Sequence, residues 1–327
     1  MREIMYRDAV CEALDEEMAR DERVILIGED IGFIGGNFKT TVGLLDKYGD
    51  LRVKDSPISE AGIVGMGVGM ALTGLRPVVE LMFSDFLLVA ADQVVNQMAK
   101  IRYMSGGQAT VPMVIRCPIG GGRSSAAQHS QSMQAMVAHF PGIKVLVPST
   151  GQEIKGLLKA AIRDDDPVVV FEHKMEYTNK YKIDDSVELL PIGKADIKRA
   201  GDDITIAATS SQVMKSSRAA ERLAGEGISC EIVDLRSIVP LDRETIIASV
   251  KKTGRLLVVD EAHEFCGVGA EIAANLMDDI FYDLDAPIGR VATPNVPLPF
   301  SPALEMPIIP SEEKIIEKVR AMVRPGA

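Results

Sequence analysis

The order of apolar and polar runs predicts an α/β protein built from two doubly wound domains. Short apolar runs bounded by polar residues alternate with amphipathic stretches, the pattern of parallel strands joined by helices. The alternation stops in a polar, irregular stretch between Lys174 and Asp203 and then restarts. With 327 residues, 46% of them hydrophobic, the chain is long enough for each half to bury its own core. The expected division is a first domain over 1–180, a linker over 181–203 and a second domain over 204–327.

In the first domain, Ala9, Val10, Ala13, Leu14 and Met18 recur at helical spacing and predict an opening helix. RVILIGED follows as a buried strand whose carboxyl end presents Glu29 and Asp30. Gly35 and Gly36 predict a loop, leading into a helix around Thr40 to Tyr48. The stretch 55–74, DSPISEAGIVGMGVGMALTG, turns at Ser59 from an extended, proline-marked run into a glycine-rich helix with Glu60 in its first turn. RPVVELMF reads as the next strand and SDFLLVAADQVVNQMAKIRYM as one long helix. VPMVIRCP is a further strand, and GGGRSSAAQHSQS a loop of small residues carrying His129. VLVPS, a helix from Gln152 to Arg163 and the strand PVVVFEHK complete this half, with a small hairpin expected around Gly193.

The second half repeats the pattern. DITIAATSS, ISCEIVDL, RLLVVDE and IGRVAT read as strands, with helices over Val213–Ala224, Arg243–Lys251 and Val268–Ile280 between them. TPNVPLPFSPALEMPIIP is too rich in proline for a helix or a central strand. SEEKIIEKVRAMV closes as a helix capped by Ser311, with Glu312 and Glu313 at its positive end.

A formal net charge of −11 argues against general electrostatic binding of nucleic acid, which requires clustered Lys and Arg. Gly62 to Leu75 is shorter than a membrane span and broken by glycines, and the N-terminus shows no secretory core. Cys11, Cys117, Cys230 and Cys266 are far apart with no CxxC pair, which suggests neither a zinc site nor a disulfide framework and fits a reducing, cytoplasmic compartment.

One carboxylate, Glu60, stands where the extended run meets the glycine-rich helix. Placed between Ile58 and an apolar helix, it is expected to lose hydration. A carboxyl group of that kind suits a hydrogen bond to a ring nitrogen. A glutamate in a first turn also complements the helix dipole, so the pattern alone leaves both roles open.

That segment, together with GEDIG at 28–32, RPVVELMFSDF at 76–86, DQVVNQMAK at 92–100 and QHSQ at 128–131, closely resembles the beta subunit of the thiamine-diphosphate-dependent decarboxylating component of 2-oxo acid and acetoin dehydrogenase complexes. The similarity runs over essentially the whole chain. It implies a pyrimidine-binding domain followed by a transketolase C-terminal-like domain.

The resemblance also implies roles. Glu60 matches the glutamate that hydrogen-bonds the aminopyrimidine ring, and Ile58, Met82 and Phe86 match its apolar surroundings. Glu29 matches an acidic position on the route between paired active sites. His129 matches the histidine implied in acyl transfer to the lipoyl group. Met113, Ala161, Ile162, Asp164 and Asp166 match a potassium site, with Asp166 standing where many relatives have Asn. The chain lacks a GDG followed at family spacing by Asn, so magnesium and the diphosphate are expected to be held mainly by an alpha subunit in an alpha2-beta2 heterotetramer.

Further expected partners are a lipoyl acyltransferase core and a small-molecule substrate. ELMFSDF, RYMSGG, FEHK, GKADIKRAGDD and PFSPALE resemble the acetoin branch, whereas GGNFKTTVGL looks more like the oxo-acid enzymes. Pyruvate-type oxo acids and acetoin therefore both stand, with branched-chain oxo acids behind. Two other readings are a split transketolase-like subunit that transfers two-carbon units and a non-catalytic assembly subunit.

Overall fold

The structure, a computed structural model, describes residues 1–324. It divides into two compact units: one comprises Met1–Ile119 with Met136–Ile192, the other Gly120–Ala135 with Gly193 onward.

The first unit opens with β1 (Arg2–Met5) and α1 (Tyr6–Arg20), then β2 (Val24–Gly28), α2 (Leu44–Tyr48), β3 (Val53–Asp55), α3 (Glu60–Leu72) and β4 (Arg76–Glu80). It continues through α4 (Ile101–Met104), β5 (Val114–Ile119), α5 (Gln134–Ala138), β6 (Lys144–Leu146), α6 (Gly151–Arg163), β7 (Val168–His173) and β8 (Lys180–Ile183). Its main strands run in the order β6-β7-β5-β4-β2-β3, every neighbouring pair parallel. β2, β5 and β7 are buried along their whole length, as parallel strands covered on both faces must be. On one side α1 and α6 pack together through Ala9, Val10, Ala13, Leu14, Ile154, Leu157 and Leu158. α3 comes close to the sheet at Gly67, where a Cβ would stand 2.8 Å from both Met113 Cε and Val79 Cγ2.

The second unit contains β9 (Asp196–Arg199), β10 (Ile204–Ala208), α7 (Gln212–Ala224), β11 (Cys230–Asp234), β12 (Ser237–Val239), α8 (Arg243–Thr253), β13 (Leu256–His263), α9 (Val268–Ile280), β14 (Gly289–Thr293), α10 (Pro302–Ile308) and α11 (Glu312–Val323). Its sheet has the order β14-β13-β10-β11-β9, parallel except for the antiparallel edge strand β9. α7 and α11 cover one face over Ile204, Ile206, Ile232 and Val259; α8 and α9 cover the other over Ala207, Val233 and Val258.

Several expectations are corrected. Within 181–203, β8 pairs antiparallel with β1 and β9 extends the second sheet, so the hairpin expected around Gly193 does not form. The helix expected from Thr40 begins only at Leu44, because Thr40 and Thr41 are buried and their hydroxyls tie the preceding loop to Glu80 and to the Ile31 carbonyl. The long helix over 84–104 is broken into a 3₁₀ turn (Ser84–Leu88), a π-helical segment (Gln93–Met98) and α4. In the π segment the Ala99 N–H returns five residues to Val94 O, and Gly142 lies so close over the Ala99 carbonyl that any Cβ would overlap it. α10 forms within the proline-rich run because Pro302 stands in its first turn, where no N–H is needed, and Pro307 comes only at its end.

Candidate active site

Adjacent parallel strands bring the candidate acids to one edge of the first sheet. Gly28 pairs with Glu80 and with Asp55 in register, so Glu29 leaves β2 beside the carboxyl ends of β4 and β3. Glu60 is the first residue of α3, preceded by Ser59 at the cap position. Both carboxylates are buried, Glu60 at 6% and Glu29 at 7% exposure. Glu29 Oε1 has no hydrogen-bond partner. Burial, and then the charges of Glu60 and Asp30, push the Glu29 pKa above the ordinary carboxylate range. Two buried acids within electrostatic reach of each other, one with an orphan oxygen and a raised affinity for protons, leave hydrogen-bonding capacity unused. This donor set fits thiamine diphosphate: Glu60 can meet a ring nitrogen, and Glu29 can share a proton nearby.

Met82 and Phe86 follow β4 and are half-buried, with Phe86 edge-on to Phe83 at 5.9 Å between ring centroids. Ile58 departs from expectation. At 80% exposure it does not enclose Glu60 within this chain, since the extended segment before α3 turns it outward. Ala61, Gly62, Met66, Gly69 and Leu72 likewise face outward from α3, giving one side of the helix small or apolar groups open to solvent.

Sequence reasoning missed a buried ion cluster below these acids. Arg116, inside β5, donates from Nε and Nη2 to the two oxygens of Glu172 on β7, at 2.7 and 2.9 Å, and from Nη1 to Glu80 on β4 at 2.8 Å. Tyr177 OH donates to Glu172 at 2.9 Å, and Thr40 Oγ1 to Glu80 at 3.2 Å. Burial opposes the Arg116 charge, but the two glutamates outweigh it and hold the guanidinium more firmly protonated than usual. Burial raises the Glu80 pKa, with Arg116 opposing the rise. The signal was present: VVELMF, VIRCP and VVFEHK each carry one charge inside an apolar strand, and such charges must be paired. The cluster fixes the loop that carries Glu29, through the contact of Thr40 with Glu80.

His129 lies in the segment Gly120–Ala135, which belongs to the second unit, and is half-buried between exposed Gln128 and buried Ser130. Glu29 and Glu60 are thus brought together within the first unit, while His129 is a residue of the second.

The five expected cation ligands lie near one another in the first unit, but their oxygens are engaged. Met113 O accepts from Val168 N, and Ala161 O from Asp164 N. Ile162 O and Asp164 O accept from Arg76 Nη1 at 3.0 and 2.9 Å. Lys144 Nζ holds both carboxylate oxygens of Asp164 and reaches Asp166 at 3.3 Å, and Arg102 pairs with Asp166. The charge that a potassium ion would bring is already supplied by Arg76, Arg102 and Lys144. These residues do not fit the ion as they stand, and no role is derived for it.

Among the described residues no cluster of three His, Cys, Asp or Glu could hold a metal, and no helix is long and apolar enough to cross a membrane.

Comparison with known proteins identifies the two domains. The transketolase pyrimidine-binding domain family matches residues 2–180, and the transketolase C-terminal domain family residues 193–315. The chain is 45% identical over 326 residues to the 2-oxoisovalerate dehydrogenase subunit beta of Bacillus subtilis, covering 98% of this chain and 99% of the relative. It is 48% identical over 323 residues to the mitochondrial pyruvate dehydrogenase E1 component subunit beta-1 of Oryza sativa, covering 98% and 86%. Over 327 residues it is 45% identical to the acetoin:2,6-dichlorophenolindophenol oxidoreductase subunit beta of Bacillus subtilis, covering 96% of each. A solved split-gene transketolase, an inactive beta4 tetramer, superposes with a TM-score of 0.80 over 98% of each chain at 21% identity, which speaks to the fold alone. The two transketolase-type domains, together with relatives 45–48% identical over most of their length, place the sequence: it belongs to the beta subunits of thiamine-diphosphate-dependent 2-oxo acid and acetoin dehydrogenase components.

Proposed function

We propose that this chain is the beta half of a cytoplasmic alpha2-beta2 heterotetramer that cleaves acetoin or a pyruvate-type 2-oxo acid and passes the acyl unit to the lipoyl group of an acyltransferase core. The observation that carries the reading is the buried pair of Glu29, just after β2, and Glu60, the first residue of α3. When bound, thiamine diphosphate supplies a nucleophilic carbon and an electron sink. Glu60 then holds the aminopyrimidine ring by a hydrogen bond to its nitrogen and favours the tautomer that accepts a proton. Glu29 keeps a second proton close to that carboxyl, and Met82 and Phe86 exclude water beside the ring. Magnesium and the diphosphate fall to the alpha subunit, which also covers Ile58 and the small-residue side of α3. On transfer to the lipoyl disulfide, one sulfur becomes a thioester and the other takes a proton to become a thiol; the His129 imidazole is the group offered for that proton.

The relatives are about equally similar although their names carry different substrates, so the substrate is decided by assay. The test is dye reduction by the complex co-expressed with its alpha partner, supplied with thiamine diphosphate and magnesium, on acetoin, pyruvate and branched-chain oxo acids. Turnover with acetoin or pyruvate is expected. A cofactor-loaded tetramer that turns over none of these, but passes two-carbon units between sugar phosphates, would overturn the reading.

A further inference from the structure

The segment Gly120–Ala135 is bent in an unusual way. Gly120 and Gly122 adopt φ of +92°, and two residues with side chains, Ser124 and Ala126, adopt +53° and +61°. Such a backbone is costly for residues with a Cβ and persists only where its surroundings hold it.

Three buried carboxylates of the same unit do so. Glu305, fully buried on α10, accepts from Gly122 N with one oxygen at 2.8 Å and from Ser124 N with the other at 2.9 Å. Glu261, near the carboxyl end of β13, accepts from Gly121 N at 2.7 Å and from Gln212 Nε2 at 2.8 Å. At the far end of the segment, Asp260 Oδ1 accepts from Gln134 Nε2 at 3.0 Å and from Thr209 Oγ1 at 2.6 Å. Both ends are thus pinned, and His129 lies between them.

Glu305 has the geometry of a brace. Its own N–H donates to Ser301 O at 2.8 Å, and its helix has proline near either end. Leu298 and Ile309 close around Gly121, where a Cβ would stand 3.4 Å from each. Two N–H donors on two oxygens require a carboxylate, because an amide would turn one acceptor into a donor facing a backbone N–H.

We propose that Glu305 is a positioning residue for His129, fixing the bend of 120–126 so that the imidazole is held in place at the acyl-transfer step. This rests on the role given to His129 above.

The test compares wild type with Glu305→Gln and Glu305→Asp in the assembled alpha-beta complex, using amide hydrogen exchange over 121–126, dye-linked turnover and acylation of a free lipoyl domain. In Glu305→Gln, exchange should rise at Gly122 and Ser124, and lipoyl acylation should fall by about tenfold or more while dye-linked turnover falls less than about threefold, since a small misplacement penalises only the step needing the displaced group. Glu305→Asp keeps the charge and should recover part of both losses, and it carries the test if the amide variant does not fold. Unchanged exchange, or two activities falling in step, overturns the proposal. A wild-type complex that acylates no lipoyl domain defeats the parent reading instead, and the exchange result then still decides whether Glu305 holds the segment.

Discussion

Each of the two larger sheets carries adjacent acids at or near the carboxyl end of a buried strand, and the two pairs are used differently. After β2, Glu29 and Asp30 enter the surroundings of Glu60 with a Glu29 oxygen unpaired and a raised affinity for protons. In β13, Asp260 and Glu261 accept from Thr209, Gln134, Gln212 and the Gly121 backbone. A strand-end carboxylate near neutral pH is therefore not a catalytic signature by itself. Burial raises the proton affinity of Asp260 as well, with Glu261 beside it, so what distinguishes the first pair is its unmet hydrogen-bonding capacity; the second pair has been spent on holding backbone and side chains.

The largest expected effect tests the first pair. Glu60→Gln in the assembled complex should lower dye-linked turnover by about 100-fold or more, the scale of a lost acid–base group. The melting temperature of the same variant should hold or rise, because a buried like charge beside Glu29 is removed. Turnover within twofold of wild type would erase the distinction between the pairs.

Glu261→Gln should show the reverse, a loss of about 1.5–3 kcal/mol in stability as a charged acceptor is replaced. Denaturant titration reads it, and an unaltered midpoint would mean that the second pair is not committed after all.

A smaller effect follows from pH. Glu29 holds its proton more tightly folded than unfolded, so the stability carried by its neutral form is full below the ordinary carboxylate range and is lost as pH rises through its raised value. Glu29→Gln removes that loss. The melting temperature of the variant relative to wild type should climb between about pH 4 and pH 7, and a flat difference would show that burial and the neighbouring acids do not raise the Glu29 pKa.

The smallest effect is an expected absence. Replacing potassium by choline at constant ionic strength should move the melting temperature by less than about 0.5 °C, below the roughly 1.5 °C shift that about 1 kcal/mol produces in a chain of this size. A saturable rise with potassium would show that Arg76, Arg102 and Lys144 do not substitute for the ion.

The alternation of strands and helices was legible because buried parallel strands must be apolar along their length, and Val268–Ile280 was expected residue for residue. Glu60 was legible because its helix start is a local pattern. Local patterns could not reveal the π turn over Gln93–Met98, which depends on the distant approach of Gly142 to Ala99. Ile58 is apolar yet exposed in this chain, so its burial cannot be read from its own neighbours in the sequence. The bracing of Gly121, Gly122 and Ser124 was illegible for a different reason: its acceptors lie at positions 261 and 305, and nothing in GGGRSS calls for a carboxylate.

That bracing restricts how the gene could be dissected. A fragment starting at Gly193 would carry the complete second sheet yet leave Gly120–Ala135 behind, stripping Glu305 of both its backbone donors and Glu261 and Asp260 of one partner each. The C-terminal half is therefore not a transplantable module at its apparent boundary. A working excision would have to supply the missing segment as a separate peptide or graft it onto the new terminus.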